Sequence, residues 1–230
     1  MIEVTYVDHM GSDLSVVNAA RVSFGKKSDW MPRVHNGEQL VLTPKDAKLI
    51  SYLARHNHKS PFNHAFATFH IKAPIFVARQ LQKHEYMPWN EISRRYVDED
   101  PEYYKPKVWR RRSKDKKQGS GKNFRGWVGM HESDKPEQKH LESILASNMA
   151  YKILISYGIA PEQARMVLPQ SMMTEWYWSG SVHAFAKMCG LRLKPDAQYE
   201  TRLVAEQIED KMMELFPISW EALRMYEDCT

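Results

Sequence analysis

Between Lys72 and Tyr96 the chain reads KAPIFVARQLQKHEYMPWNEISRRY, a stretch that gathers groups able to grip an anionic, hydrogen-bonding ligand. Its first part, Pro74 to about His84, predicts a helix. A proline in a first turn loses nothing, because that N–H has no intrahelical partner. Ile75, Ala78 and Leu81 or Gln82 recur at helical spacing. On such a helix Arg79 and Lys83 are four apart, as are Gln80 and His84, so each pair can share a face. The second part, Tyr86 to Tyr96, holds Pro88, Asn90, Glu91, Ser93, Arg94 and Arg95. Pro88 argues against a continued helix, so a loop is expected there. Arginine offers a planar fork of donors for phosphate. Glutamate and asparagine supply acceptors for a ribose or a base edge. Residue types alone fit a solvated polar loop after a core helix as well as they fit a binding site.

The flanking elements follow from periodicity and turn chemistry. Ile2 to Val7 alternates like a strand. Ser12 or Asp13 can cap a helix carrying Leu14, Val17 and Arg21. Gly25 to Glu38 is a polar, Gly-bearing loop. Thr43 caps a helix with Leu49, Ile50 and Leu53 as its buried stripe, ending near Asn57. A turn around Pro61 and a strand over Ala65–Ile71 lead into the central helix. Farther on, helices are expected over His140–Ser156, with Leu141, Ile144, Leu145 and Ile153 inside, from Pro161 through Arg165, over Ser181–Met188 and over Gln198–Phe216. A loop with Gln170, Ser171 and Thr174 precedes the bulky Trp176 to Trp178. Helices dominate with a few strands near the start, so the fold class is α+β, or irregular α/β, with helices packed around a small sheet.

Motifs in four places resemble the flavin-dependent thymidylate synthases. They are HKSPFNHAFATFHIKAPIFVARQ, HEYMPWNEISRRY, ARMVLP, and GLRL followed by AQYE. In that family a helix ends in Arg-His-Arg and is followed by Asn-Glu-x-Ser-x-Arg-Tyr. The second half matches as Asn90 to Tyr96, whereas the first half reads Lys83-His84-Glu85. The resemblance spans roughly Asp13 to Pro217 apart from a basic insert, and it implies one domain over 1–230. It implies a homotetramer whose active sites are shared between subunits. It also implies reductive methylation of dUMP, with methylenetetrahydrofolate giving the carbon and FAD, reduced by NADPH, giving the hydride.

Carried over residue by residue, the resemblance places Gln80, Lys83, Glu91, Ser93, Arg94, Arg95 and Arg165 on the nucleotide. Arg192 falls against the uracil, where a fixed guanidinium favours ionisation at N3 and activates C5. His58, Ser60, His84 and Glu91 fall on the flavin side, with Lys83 and Glu85 at its edge. Ser181, His183 and Lys187 stand where the family offers Asn, Arg and Asn to the flavin. Glu85 replaces an arginine, and His183 and Lys187 are expected to resupply that positive charge. Arg165 and Arg192 sit in apolar surroundings, ARMVLP and CGLRL, so each is expected to need a partner.

Composition bounds the alternatives. At 230 residues and 43% hydrophobic the chain suits a soluble protein with a real core, and no apolar run approaches a bilayer span. MIEVTYVDHM lacks a basic segment followed by an apolar one, so no secretory signal is expected. Cys189 and Cys229 make no disulfide framework, which points to a reducing cytoplasm, the host's if a virus encodes the chain. His56-x-His58 with His64 and His70 fits no usual ligand set, so no metal is expected. Cys189 reads as a core thiol rather than a nucleophile. From 107 to 136 lies the insert, with Lys107, Arg110, Arg111, Arg112, Lys114, Lys116 and Lys117 against Asp115, and with Trp109, Phe124 and Trp127 interleaved. It reads as a solvated face or a substrate-channel lid rather than a nucleic-acid site. Two other functions fit the motifs less fully: a pyrimidine hydroxymethylase without net reduction, and a non-catalytic nucleotide- or RNA-binding protein.

Overall fold

The computed structural model describes residues 1–32, 40–96, 99–114, 119–124, 126 and 130–226. Asp115, Lys116, Lys117, Arg125, Trp127 and Cys229 lie outside the described residues, as does the latter part of the polar loop before Glu38. In chain order the elements are β1 (Glu3–Met10), α1 (Asp13–Arg21), β2 (Met31–Pro32), β3 (Leu40–Val41), α2 (Pro44–Arg55), β4 (Phe66–Pro74), α3 (Ile75–Leu81) and β5 (Trp89–Glu91). There follow β6 (Arg110–Arg112), β7 (Ser120–Asn123), α4 (Pro136–Ser156), α5 (Pro161–Ala164), β8 (Met173–Ser181), α6 (Val182–Arg192), α7 (Tyr199–Leu215) and α8 (Pro217–Tyr226). The expected α+β class, helices around a small sheet, is what forms.

The main sheet has the order β1-β4-β8-β5, with every neighbour antiparallel. On β4 the buried residues Ala67, Phe69, Ile71 and Ala73 alternate with half-exposed Thr68, His70 and Lys72. Such alternation belongs to a sheet with one face on the core. The strand β8 lies at its centre, although Met173–Ser181 was expected as a loop and a bulky tripeptide. Trp176 and Trp178 point into the core and Tyr177 out of it, so WYW is a period-two pattern. Trp89 of β5 stacks on Trp176 with centroids 4.4 Å apart and planes within 17°. That stack turns part of the expected loop into an edge strand, since Trp89, Asn90 and Glu91 pair with Trp178, Tyr177 and Trp176.

Two helices differ from expectation in ways that matter. The helix α3 stops at Leu81 rather than His84. Turns follow from Gln82, with the His84 N–H donating to the Leu81 carbonyl, and the left-handed Tyr86 (φ 59) and Pro88 keep the helix from resuming. The start of α3 is well tied: the N–H groups of Ile75 and Phe76, orphans of a first turn, donate to Met172 and Gln170 carbonyls at 2.9 and 3.3 Å. On α4, Ile144 is buried as expected, but Leu145 is 60% and Ile153 40% exposed. Both are apolar positions that the described residues leave largely uncovered.

The core fills the space between the sheet and α2, α6, α7 and α8, with Phe69, Trp176, Trp178, Phe185, Phe216 and Trp220 fully buried. Cys189 is part of it, its thiol 3.7 Å from the Ala205 carbonyl oxygen. Asp13 joins the two ends of the chain. Its buried carboxylate accepts from the N–H groups of Ile218 and Ser219, at 3.1 and 2.9 Å, where α8 begins. Pro217 has no N–H to offer, so Asp13 serves the next two orphans and meets the positive end of the helix. Asp13→Ala is expected to cost about 2–3 kcal/mol, because two buried amides lose a charged acceptor. Urea denaturation followed by far-UV circular dichroism measures this, and an unchanged midpoint would show the cap to be idle.

Candidate active site

The early end of α3 builds the centre of the site. Had the helix run to His84, the Gln80 carbonyl would have accepted from the His84 N–H. Instead the His84 N–H donates to Leu81, and the Gln80 carbonyl is left as a helix-end orphan. The guanidinium of Arg192, from the last turn of α6, donates to it at 3.0 Å through Nη2. Arg192 Nε donates to His84 Nε2 at 3.1 Å. A cation at a helix C-terminus is favoured by the helix dipole as well as by these bonds. Arg192 is half-buried, and burial moves its pKa downward, against a cation with fewer partners. The expectation that Arg192 needs a partner is met by Gln80 and His84.

His84 must be neutral to accept from Arg192, so its proton sits on Nδ1. Burial, then the charges of Arg192 and Lys187, push its pKa from the ordinary 6.5 down to about 4. The folded value therefore lies below the unfolded one. The contribution to stability is full above about 6.5 and is lost as pH falls through about 4. Protonation there would also set two donors against each other. Imidazole NMR of the free protein is expected to give His84 as the Nδ1–H tautomer with a midpoint near 4. A midpoint at about 6 or above would mean that Arg192 does not donate to it.

Two cavities flank this pair. The first, about 330 Å³, is lined by His58, Lys59, His84, His183, Lys187 and Lys194 together with Leu53, Phe62, Ala186, Leu191 and Leu223. Burial and then the charges of Lys59 and Lys187 lower the His183 pKa, and with His84 and His183 neutral the cavity still takes positive charge from Lys59, Lys187 and Lys194. The second, about 340 Å³, is lined by Gln80, Gly119, Leu191, Arg192, Lys194, Asp196, Ala197 and Gln198. Leu191 and Lys194 belong to both, so the cavities lie side by side with Arg192 between them. Cations around an apolar slot fit a flavin dinucleotide, which combines a planar ring with a diphosphate. A volume near the lower end of the usual range, about 300–1,000 Å³, takes one ring system rather than the whole molecule.

The structure distributes the expected site residues unevenly. His58, His84, His183 and Lys187 meet at the first cavity, and Gln80 and Arg192 at the second. Lys83, Glu85 and Ser60 are exposed and line neither. Because α3 ends early, Lys83 and Arg79 do not share a helical face, and neither do His84 and Gln80. Arg79 instead donates to Gln82 at 3.1 Å and lies 3.5 Å from Glu91. Glu91 accepts from Thr174 Oγ1 at 2.7 Å and Trp89 Nε1 at 3.2 Å. The Ser181 hydroxyl, buried, caps α6 by accepting from the Ala184 N–H at 3.1 Å and donates to Asn63 Oδ1 at 2.7 Å. Ser93, Arg94 and Arg95 lie on the segment after β5, with Arg95 5.0 Å over the Tyr96 ring. Arg165 is exposed after α5, its Nε donating to the Glu162 carbonyl at 3.3 Å. Its apolar sequence neighbours do not enclose it in a single copy of the chain, because Met166 beside it is itself 77% exposed.

Lys59 and Lys194 were missed. Both are isolated lysines in polar stretches, and only the packing of α6 on the Ser60–His64 turn brings them to one cavity. Among the described residues, no three His, Cys, Asp or Glu side chains cluster to hold a metal ion, and no helix is long and apolar enough to cross a membrane.

Residues 5–218 match the family model described as "Thymidylate synthase complementing protein". The chain belongs to this family. A flavin-dependent thymidylate synthase of Thermus thermophilus is 40% identical over 219 residues, which cover 95% of this chain and 74% of that protein. The flavin-dependent thymidylate synthase of Kosmotoga olearia is 38% identical over 222 residues, covering 95% and 88%. Among solved structures, a UMP/dUMP methylase PolB from Streptomyces cacaoi bound with 5-Br dUMP is similar, with a TM-score of 0.80 and 31% identity over 98% of this chain and 96% of that one. The family named from the motifs, and with it the fold and the reading as a flavin-dependent methyltransferase, is borne out.

Proposed function

We propose that this chain converts dUMP to dTMP by reductive methylation, with the carbon drawn from methylenetetrahydrofolate and FAD reduced by NADPH. The observation that carries the reading is Arg192, a half-buried guanidinium held by Gln80 and the neutral His84 between a cationic cavity and a polar one. Placed against a pyrimidine, that charge stabilises the anion formed when N3 loses its proton and raises electron density at C5. Neutral His84 accepts from the guanidinium without adding a positive charge of its own. Gln80, Lys83, Glu91, Ser93, Arg94, Arg95 and Arg165 are proposed to hold the nucleotide. His58, Ser60, His84, Glu91, Ser181, His183 and Lys187 are proposed to hold FAD, with Lys83 and Glu85 at its edge. Bound there, reduced FAD would supply the hydride.

The residues proposed for the nucleotide are spread over surfaces that one copy leaves open, and this supports a site completed by a second copy. Leu145, Met149, Ile153, Tyr157 and Met166, 40–77% exposed, form an apolar strip close to Arg165. An uncovered strip of that kind marks a contact with another protein surface. A homotetramer with shared sites in the cytoplasm accounts for it. UMP/dUMP methylation, the activity for which the similar Streptomyces protein is named, is a variation on the same nucleotide chemistry.

The purified protein is expected to be yellow and to form dTMP from dUMP when given methylenetetrahydrofolate and NADPH. Arg192→Ala is expected to lose at least about a hundredfold in turnover with its circular dichroism intact, as when an oxyanion donor is removed. Full activity in that variant would end the proposal. Lys187→Ala is expected to weaken FAD binding about tenfold, read by flavin fluorescence titration. An unchanged affinity would remove Lys187 from the flavin site.

A further inference from the structure

Part of the basic insert faces inward. Gly119, at φ +78, lies so close to Asp196 that a Cβ would meet its carbonyl oxygen at 2.7 Å, so the insert reaches the rim of the Arg192 cavity. Arg110 on β6 donates through Nη2 to both oxygens of Glu200, at 2.6 and 2.8 Å, and lies 4.8 Å over the Tyr199 ring. Glu200, near the start of α7, is 3% exposed. It also accepts from Tyr104 Oη and from Gln198 Nε2, each at 3.3 Å.

Every one of these contacts has Glu200 as acceptor, which is all that a carboxylate can be. Gln198 must therefore turn its NH₂ group toward Glu200 and its carbonyl oxygen toward Gln80. Gln80 must answer with its own NH₂ group, and it does. The Gln80 oxygen then accepts from Thr201 Oγ1 at 3.3 Å. One N–H and one lone pair of the Gln80 amide remain for a ligand, in a fixed sense, on the residue whose backbone carbonyl holds Arg192.

We propose that Arg110 and Glu200 are positioning residues: the insert pins the Glu200 carboxylate, which sets the hydrogen-bond direction of Gln198 and Gln80 and so the base that the Gln80 amide accepts. The proposal rests on the reading of Gln80 and Arg192 as the nucleotide site. Uracil presents an acceptor at O4 beside a donor at N3, and cytosine presents the reverse. An amide locked in one sense favours one base, whereas an amide free to flip serves both.

The test is binding of dUMP and of dCMP to the purified protein by calorimetry. Wild type is expected to prefer dUMP. Glu200→Gln keeps the shape but adds a donor, so the chain of amides can run in either sense. It is expected to narrow the dUMP-over-dCMP preference about tenfold, the scale of one misdirected hydrogen bond. Loss of packing alone would weaken both nucleotides and keep their ratio. Arg110→Met is expected to narrow the ratio likewise, and Arg110→Lys to restore it. A wild-type ratio in Glu200→Gln overturns the relay, and a wild-type ratio in Arg110→Met overturns the insert's part in it. Wild-type protein that binds dUMP and dCMP equally overturns base selection by this route. Wild-type protein that binds neither overturns the nucleotide-site reading itself.

Discussion

A guanidinium partly withdrawn from water must be given acceptors, and the rest of this site is arranged around supplying them to Arg192. It receives two, of different origin. One is a backbone carbonyl that exists as a free acceptor only because α3 stops at Leu81. The other is an imidazole nitrogen that accepts only while His84 is neutral. Burial and the surrounding cations hold it neutral, since both work against a second positive charge. The cation thus maintains the protonation state of its own acceptor. A helix running on to His84 would give the Gln80 carbonyl to the His84 N–H instead.

The sheet accounts for why α3 and α6 meet at all. The strands β4 and β8 are long, adjacent and antiparallel, and each runs directly into a helix, α3 after Pro74 and α6 after Ser181. Antiparallel neighbours send those helices off opposite ends of the pair. Each helix then packs against α7, which lies across the same face. Gln80 on α3 and Arg192 on α6 converge there, beside Gln198 and Thr201 of the α7 region. The buried tryptophans of β8 make that strand the rigid centre of the arrangement. The Trp89 stack carries the rigidity outward to β5 and to Glu91.

Much of this was legible in the chain. The strand β1, α1 with its Ser12 and Asp13 start, α2 behind Thr43, and α7 all follow from periodicity and capping residues. The interior of the site was not. The end of α3 lies at Leu81, where the His84 N–H turns back to the Leu81 carbonyl, and no glycine or proline stands there to announce it. The strand β8 was hidden because two tryptophans and a tyrosine read as bulk, although their alternation is the signal of a strand buried on one face. Arg165 was expected to be enclosed because its sequence neighbours are apolar, yet Met166 beside it is exposed with it. Apolar sequence context predicts burial only when the surface that covers it belongs to the same chain.

The departures at Lys83 and Glu85 look costly only if charge is counted along the sequence. Counted in space, the balance differs. Glu85 is exposed, so water screens it, and it lines neither cavity. The first cavity takes its positive field from Lys59, Lys187 and Lys194, carried by three different segments and set in apolar walls that screen them less. Burial, and then the charges of Lys59 and Lys187, lower the His183 pKa. An anion entering the cavity would meet positive charges that folding has already brought together. Under the proposed function, lysines distributed around α6 would supply the positive charge that the motif's arginines would otherwise carry.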